Sequence, residues 1–232
     1  QPKVDVKTRQ VKGFEALVRM EDSSIGPAQF IPVAEKNGWI WRVGRITTEL
    51  TVRQLSIWRN MGYPLLPVSI NFSSKQLSDS GYFDFLEHLL QHYNIPSDLV
   101  ELEITESVFL DNTNHAADLF RYLKKTGIRL LMDDFGTGYS SLAYLTYIPV
   151  DIIKLDKSLV DYYLVDGKDA FIRDMIHLIH DLGKEIILEG VKEPWQFERA
   201  KAFGADMIQG YYFSKPVPPQ EAIVYVKEPL IK

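Results

Sequence analysis

Short runs of β-branched and other apolar residues alternate with longer stretches of helical period along the whole chain, the pattern of βα units around a parallel sheet. The runs are Lys12 to Val18, Val68 to Phe72, Val100 to Thr105, Ile128 to Asp133, Ile152 to Leu155, Glu185 to Glu189 and Met207 to Gln209. Between them the apolar spacing predicts helices over Phe83 to Tyr93, Ala116 to Lys125, Phe171 to Leu182 and Trp195 to Phe203. Gly127, Gly183 and Gly204 stand where three of these helices should stop. One more strand would close a barrel, and the only candidate is the stub at Gln1 to Val4. The link from Val4 to Val11 is too short for a parallel crossover, which takes about a dozen residues, so this strand should run antiparallel to its neighbour. The expected fold is an α/β, TIM-like (β/α)8 barrel with one antiparallel strand. Residues 1–232 read as one domain of this fold whose first strand is cut short at the N-terminus, as in a piece of a longer protein.

Side chains alternate between the two faces of a strand, so one set points to the barrel axis and the other packs on the helices. Phe14, Ala16 and Val18 should face the helices, which leaves Glu15, Leu17 and Arg19 toward the axis. By the same rule Asn71, Glu103, Asp133, Lys154, Glu189 and Gln209 face inward, one polar residue near the C-terminal end of each strand, where the active sites of such barrels lie. Asp134 follows directly and can turn inward as well. Glu15, Glu103, Asp133, Asp134 and Glu189 bring five negative charges and Lys154 offsets one, leaving −4. Buried carboxylates without a counter-charge cost several kcal/mol or give up their charge. Two divalent cations would balance this ring, and oxygen donors suit Mg²⁺ or Mn²⁺ better than zinc. Such an ion pair is a common device for water-driven phosphoryl transfer. Taken singly, each acid is better explained by a private ion pair or a helix cap; it is the convergence of the set that argues for metal.

Composition narrows the partners. Of 232 residues 46% are hydrophobic and 12% aromatic, ample for a large core. The net charge of −5, without a basic block, disfavours a nucleic-acid polymer or an anionic membrane as partner, though not a small anion. The absence of cysteine excludes disulfides and thiolate metal sites. No apolar run is long enough to span a bilayer, so a cytoplasmic domain is expected, with membrane anchoring left to the rest of a longer parent. Histidine pairs His88/His92 and His177/His180 lack the context of a metal-binding helix and read as surface residues. Trp39, Trp41 and Trp58 share a long helical stretch with Val43, Ile46 and Leu50 and read as packing.

The site residues stand in strings that resemble the EAL family of cyclic-di-GMP phosphodiesterases: "QP" at Gln1, "GFEALVR" at Gly13, "FIPVAE" at Phe30, "SINFS" at Ser69, "ELEITES" at Glu101, "MDDFGTGYSSL" at Met132, "IKLD" at Ile153, "EGV" at Glu189 and "QGYYFSKP" at Gln209. The tripeptide alone means nothing, but these strings in order over nearly the whole chain are specific. The resemblance implies a metal-dependent phosphodiesterase that cuts cyclic di-GMP to linear pGpG. It implies Glu15, Asn71, Glu103, Asp133, Asp134 and Glu189 as metal ligands, Lys154 against the attacking water, and Glu189 as candidate base. Leu17 and Arg19 match substrate-holding positions, and Gln209 matches a glutamine that orders the site. The glycine-bearing loop from Asp133 to Leu142 links the site to a dimer interface in the family, and Glu106 matches its anchor. A homodimer, and sensor or GGDEF-type domains elsewhere in the parent protein, are implied with it. Many relatives read "AEGVE" where this chain has "LEGVK" from Leu188 to Lys192, which replaces an acid near the site by a base. That departure motivates the rival reading, a catalytically weak EAL domain that binds cyclic di-GMP as a receptor.

Overall fold

The computed structural model describes residues 1–21, 24–105, 114–137, 145–146, 148–227 and 230. Eight strands close into a barrel in chain order: β1 Pro2–Asp5, β2 Val11–Ala16, β3 Val68–Asn71, β4 Val100–Thr105, β5 Arg129–Phe135, β6 Ile152–Leu155, β7 Glu185–Glu189 and β8 Met207–Gln209. β1 pairs antiparallel with both β2 and β8, and every other neighbour pair is parallel. The short link after β1 thus has the consequence expected of it. Helices α1 Pro27–Lys36, α2 Ile40–Asn60, α3 Tyr82–Tyr93, α4 Asn114–Thr126, α5 Lys157–Tyr163, α6 Ala170–Asp181, α7 Pro194–Ala202 and α8 Pro219–Ala222 accompany the strands.

Apolar side chains on the outer face of the strands, among them Phe14, Ile70, Leu102, Ile104, Leu130, Met132, Ile153, Leu155, Ile186, Leu188 and Ile208, join helix residues such as Leu55, Leu86, Ile176 and Phe197 in one core. A second, smaller cluster lies on the opposite face of the strands: Leu131, Ile152, Ile187 and Met207. The helix ends follow from the glycines, since Gly127, Gly183 and Gly204 take φ of 74°, 70° and 84°, a left-handed conformation that costs glycine nothing.

Three readings are corrected. β2 ends at Ala16, so Leu17, Val18 and Arg19 leave the sheet and strand alternation does not govern them. β5 does not end at Asp133 but runs on to Phe135. Trp58 is buried against Phe14, with ring centroids 5.7 Å apart, but Trp39 and Trp41 are 65% and 41% exposed and are not core residues.

Candidate active site

The inward residues at the C-terminal strand ends meet around one ammonium. Lys154 on β6 is 1% exposed, and its Nζ lies 2.7 Å from Glu103 Oε2, 2.8 Å from Glu189 Oε1, 2.9 Å from Asp133 Oδ1 and 3.6 Å from Glu15 Oε2. Glu15 is fixed from both sides: Asn71 Nδ2 donates to its Oε1 at 2.7 Å, and Gln209 Nε2 donates to its Oε2 and also to Gln1 Oε1. Strands β2 through β8 all contribute, some with an offset of two residues along the tilted strands, since Glu15 pairs with Ser69, Glu103 with Leu131 and Lys154 with Ile187, and others directly in register. Asn71 stands beside Glu103, and Glu189 beside Gln209.

Asp134 reaches the same mouth through a bulge. Met132 pairs with Ile153 and Phe135 with Leu155, so Asp133 and Asp134 together oppose the single residue Lys154. Asp134 carries φ of +54°, a conformation that aspartate tolerates better than most residues. One extra residue thereby turns two consecutive acids to the mouth, where strict alternation would send one of them outward. Oxygens of Asp133, Asp134 and Glu189 lie within 4.8 Å of one another.

The electrostatics divide the acids. Burial works against the charge of Glu15, but Lys154 and the hydrogen bonds from Asn71 and Gln209 outweigh it and hold the carboxyl down at about 2. Burial and the neighbouring Glu15 charge push Glu103 up to about 8, although Lys154 pulls the other way. Burial raises Glu189 to about 7, with Lys154 opposing and Asp133 adding to the rise. Asp134 is raised by burial and by Asp133. Lys154 itself stays charged, since its ring of acids overcomes the cost of burying it. One ammonium cannot satisfy all the acids, and the ring is short of positive charge.

Comparison with known proteins decides the family. An EAL domain model matches residues 1–216. The signaling protein YkoW of Bacillus subtilis is 36% identical over 232 residues, covering 98% of this chain and 29% of YkoW. The chain belongs to the EAL domain family. A second relative, the bifunctional diguanylate cyclase/cyclic di-GMP phosphodiesterase MucR of Pseudomonas aeruginosa, is 32% identical over 97% of this chain and 34% of its own length. This chain therefore spans about a third or less of these curated relatives. Among solved structures, the PaMucR phosphodiesterase in complex with c-di-GMP superposes with a TM-score of 0.86 at 30% identity, covering 96% of this chain and 92% of that one. The EAL enzyme Bd1971 in its cAMP- and cyclic-di-GMP-bound form gives a TM-score of 0.89 at 29% identity, covering 98% and 63%.

The donors present fit the divalent cation that the EAL resemblance implies. All are oxygens apart from the amide and ammonium nitrogens, and Glu103 Oε1 is buried without a hydrogen-bond partner, as an acceptor facing a bound cation would be, while Asp133 Oδ1 has its ion pair with Lys154 but no hydrogen bond. Gln209 Oε1 is another acceptor without a hydrogen-bond partner. Leu17 and Arg19 stand outside the ring. With Gln1, Glu15 and Val18 they line a cleft of about 580 Å³ that continues past Leu50, Gln54 and Trp58 to Pro216–Pro219. Pro216, Val217, Pro218 and Pro219 thus form one wall of this cleft. Arg19 is exposed, and its Nη1 donates to Val18 O at 2.8 Å. Glu106 and Gly138 lie outside the described residues. Lys192, flagged as a departure near the ring, pairs with Asp161 at 3.1 Å, an acid that also holds Lys157, and among the described contacts it touches no ring carboxylate.

Sequence reasoning missed what lies one pleat below the ring. Lys3, Ser69 and Glu101 are buried, and Lys3 Nζ bonds to Ser69 Oγ at 3.1 Å and to Glu101 Oε2. The signal was available: Ser69 and Glu101 each precede a ring residue by two positions, on the same face of the same strand.

Proposed function

We propose that this domain hydrolyses one phosphodiester bond of cyclic di-GMP to linear pGpG, with two divalent cations, Mg²⁺ or Mn²⁺, held by Glu15, Asn71, Glu103, Asp133, Asp134 and Glu189. The observation that carries the reading is the set of four carboxylates around a single buried ammonium, with acceptor oxygens left over, at the C-terminal end of an EAL barrel. The complex of PaMucR phosphodiesterase with c-di-GMP supports the choice of substrate. When bound, the cations supply Lewis acidity for the attacking water and for the leaving oxygen.

The chain's own groups do the rest. Glu189, with its Oε1 at 2.8 Å from the Lys154 ammonium, stands at the mouth to accept the proton of the attacking water. Lys154 presents fixed positive charge at the same point and orients the water's oxygen in line with phosphorus. That oxygen bonds to phosphorus, the bond from phosphorus to the 3′ oxygen breaks, and the leaving oxygen takes up a proton. Gln209 and Asn71 keep Glu15 in a single rotamer. The cleft beside Leu17 and Arg19 has room for a guanine and a positive charge for phosphate. Asp134 completes the acid pair opposite Lys154.

Residues 1–232 are read as one catalytic unit, since the strands that close the barrel run from Pro2 to Gln209. The name of MucR, which includes a diguanylate cyclase activity, supports a parent protein with further signalling domains, and Glu106 as loop anchor, homodimerisation and a cytoplasmic location belong to the same proposal. No helix among the described residues is long and apolar enough to cross a membrane. Incubation of the protein with cyclic di-GMP and Mg²⁺ or Mn²⁺, followed by chromatographic separation, should yield pGpG. Tight binding with no product above a Glu15→Ala control would replace the enzyme by a receptor.

A further inference from the structure

The interior of the barrel is divided beneath the ring. Stepping two residues down each strand from Asp133, Lys154, Glu189 and Gln209 leads to Leu131, Ile152, Ile187 and Met207, an apolar cluster. The same step from Glu15, Asn71 and Glu103 leads to Gly13, Ser69 and Glu101, and here the space is filled by the side chain of Lys3 from β1. The register puts Lys3 opposite Gly13, and a Cβ at Gly13 would come within 3.2 Å of Lys3 Cε and 2.8 Å of Pro67 O. The glycine leaves room for the lysine to pass over β2 toward β3 and β4. Its ammonium then binds Ser69 Oγ at 3.1 Å and Glu101 Oε2 at 2.5 Å, while Ser69 Oγ donates to Phe14 O at 3.2 Å, on the peptide carbonyl that precedes Glu15. Lys3 and Glu101 are each 2% exposed, so neither leaves this position without abandoning a buried partner.

We propose that Lys3, with Ser69 and Glu101, is a positioning unit that fixes the mutual height of β2, β3 and β4 and so sets the geometry of Glu15, Asn71 and Glu103 for cation binding. The inference rests on the metal-dependent reading of the ring. An ion pair kept only for stability would be exchangeable for apolar residues of similar volume. A positioning unit is not, because hydrogen bonds to Ser69 and through it to the Phe14 carbonyl carry the alignment. Partners that orient metal ligands commonly change affinity or activity by about 10–100-fold when lost.

The test compares wild type, Lys3→Met, Glu101→Gln and the double variant Lys3→Met/Glu101→Gln. Mn²⁺ affinity is read from the rise in melting temperature with Mn²⁺ alone, and kcat and KM for cyclic di-GMP are measured at saturating metal. Lys3→Met leaves the buried Glu101 carboxylate with its longer 3.4 Å contact to Arg129 and should lower the melting temperature, which the double variant should recover. Mn²⁺ affinity should nevertheless stay about tenfold or more below wild type in both, with kcat reduced and KM little changed. If the double variant, or a folded Lys3→Met protein, binds Mn²⁺ and turns over as wild type does, the unit is structural only and the inference is wrong. A wild-type protein that neither binds Mn²⁺ nor cleaves cyclic di-GMP overturns the functional reading, and the inference falls with it.

Discussion

At the residue scale, Lys154 does the work of a counter-ion. It stands within 2.9 Å of three carboxylates and 3.6 Å of a fourth, and it leaves the ring short of positive charge. That shortage has a measurable sign. Glu103 and Glu189, raised to about 8 and about 7, hold protons in the folded metal-free protein that an unfolded glutamate, with a pKa near ~4.3, releases. Between those values the folded state binds more protons than the unfolded one, so stability falls as pH rises from about 4.3 to about 8. Glu15, held down at about 2, contributes in the opposite sense, and its share is lost as pH falls from about 4.3 to about 2. Urea unfolding of the metal-free protein should therefore show declining stability from pH 5 to pH 8. Saturating Mg²⁺ or Mn²⁺ should flatten or reverse that decline, since a cation favours the ionised acids. Stability that rises over this range without metal would contradict the ring's assignment. These residues were legible in the sequence because each is polar at an inward strand end. Lys3 was not, because a charged residue in the short first strand carries no mark of the glycine at position 13 that admits it.

Elements decide how the side chains arrive. Strands β4, β6, β7 and β8 have the bounds their apolar runs predict, and β6, β7 and β8 are flanked on both sides by charged or glycine residues. β2 and β5 do not. β2 stops two residues early and hands Leu17 to Arg19 to the cleft, and β5 continues two residues further through a bulge. A bulge is a two-against-one pairing between strands, and nothing within a single strand announces it. It makes Asp134 a member of the ring at the cost of a left-handed backbone. Asp134→Asn should keep that backbone and the stability of the metal-free protein while weakening Mn²⁺ binding. Asp134→Ala should weaken binding similarly and also lose about 1–2 kcal/mol in urea unfolding. Equal stability of the two variants would argue against strain at this position, and unchanged Mn²⁺ affinity in both would remove Asp134 from the site.

Over the whole molecule, the barrel separates its tasks by depth. The C-terminal strand ends carry the ring, the layer beneath is ionic on the β2–β4 side and apolar on the β5–β8 side, and the outer faces of the strands bury the main core against the helices. The fold class, the reversed strand and the ring were readable from period, link length and the placement of polar residues. The division of the inner layer was not, because it depends on which side chain from another strand fills each space. The central claim, that the ring works through bound cations, is tested most directly by cyclic di-GMP turnover in protein stripped with a chelator and then resupplied with Mg²⁺ or Mn²⁺. Stripped wild type should form no pGpG, restored wild type should recover turnover, and Glu15→Ala should not recover it at the same metal concentration. Turnover that survives stripping, or that returns equally in Glu15→Ala, would contradict the account.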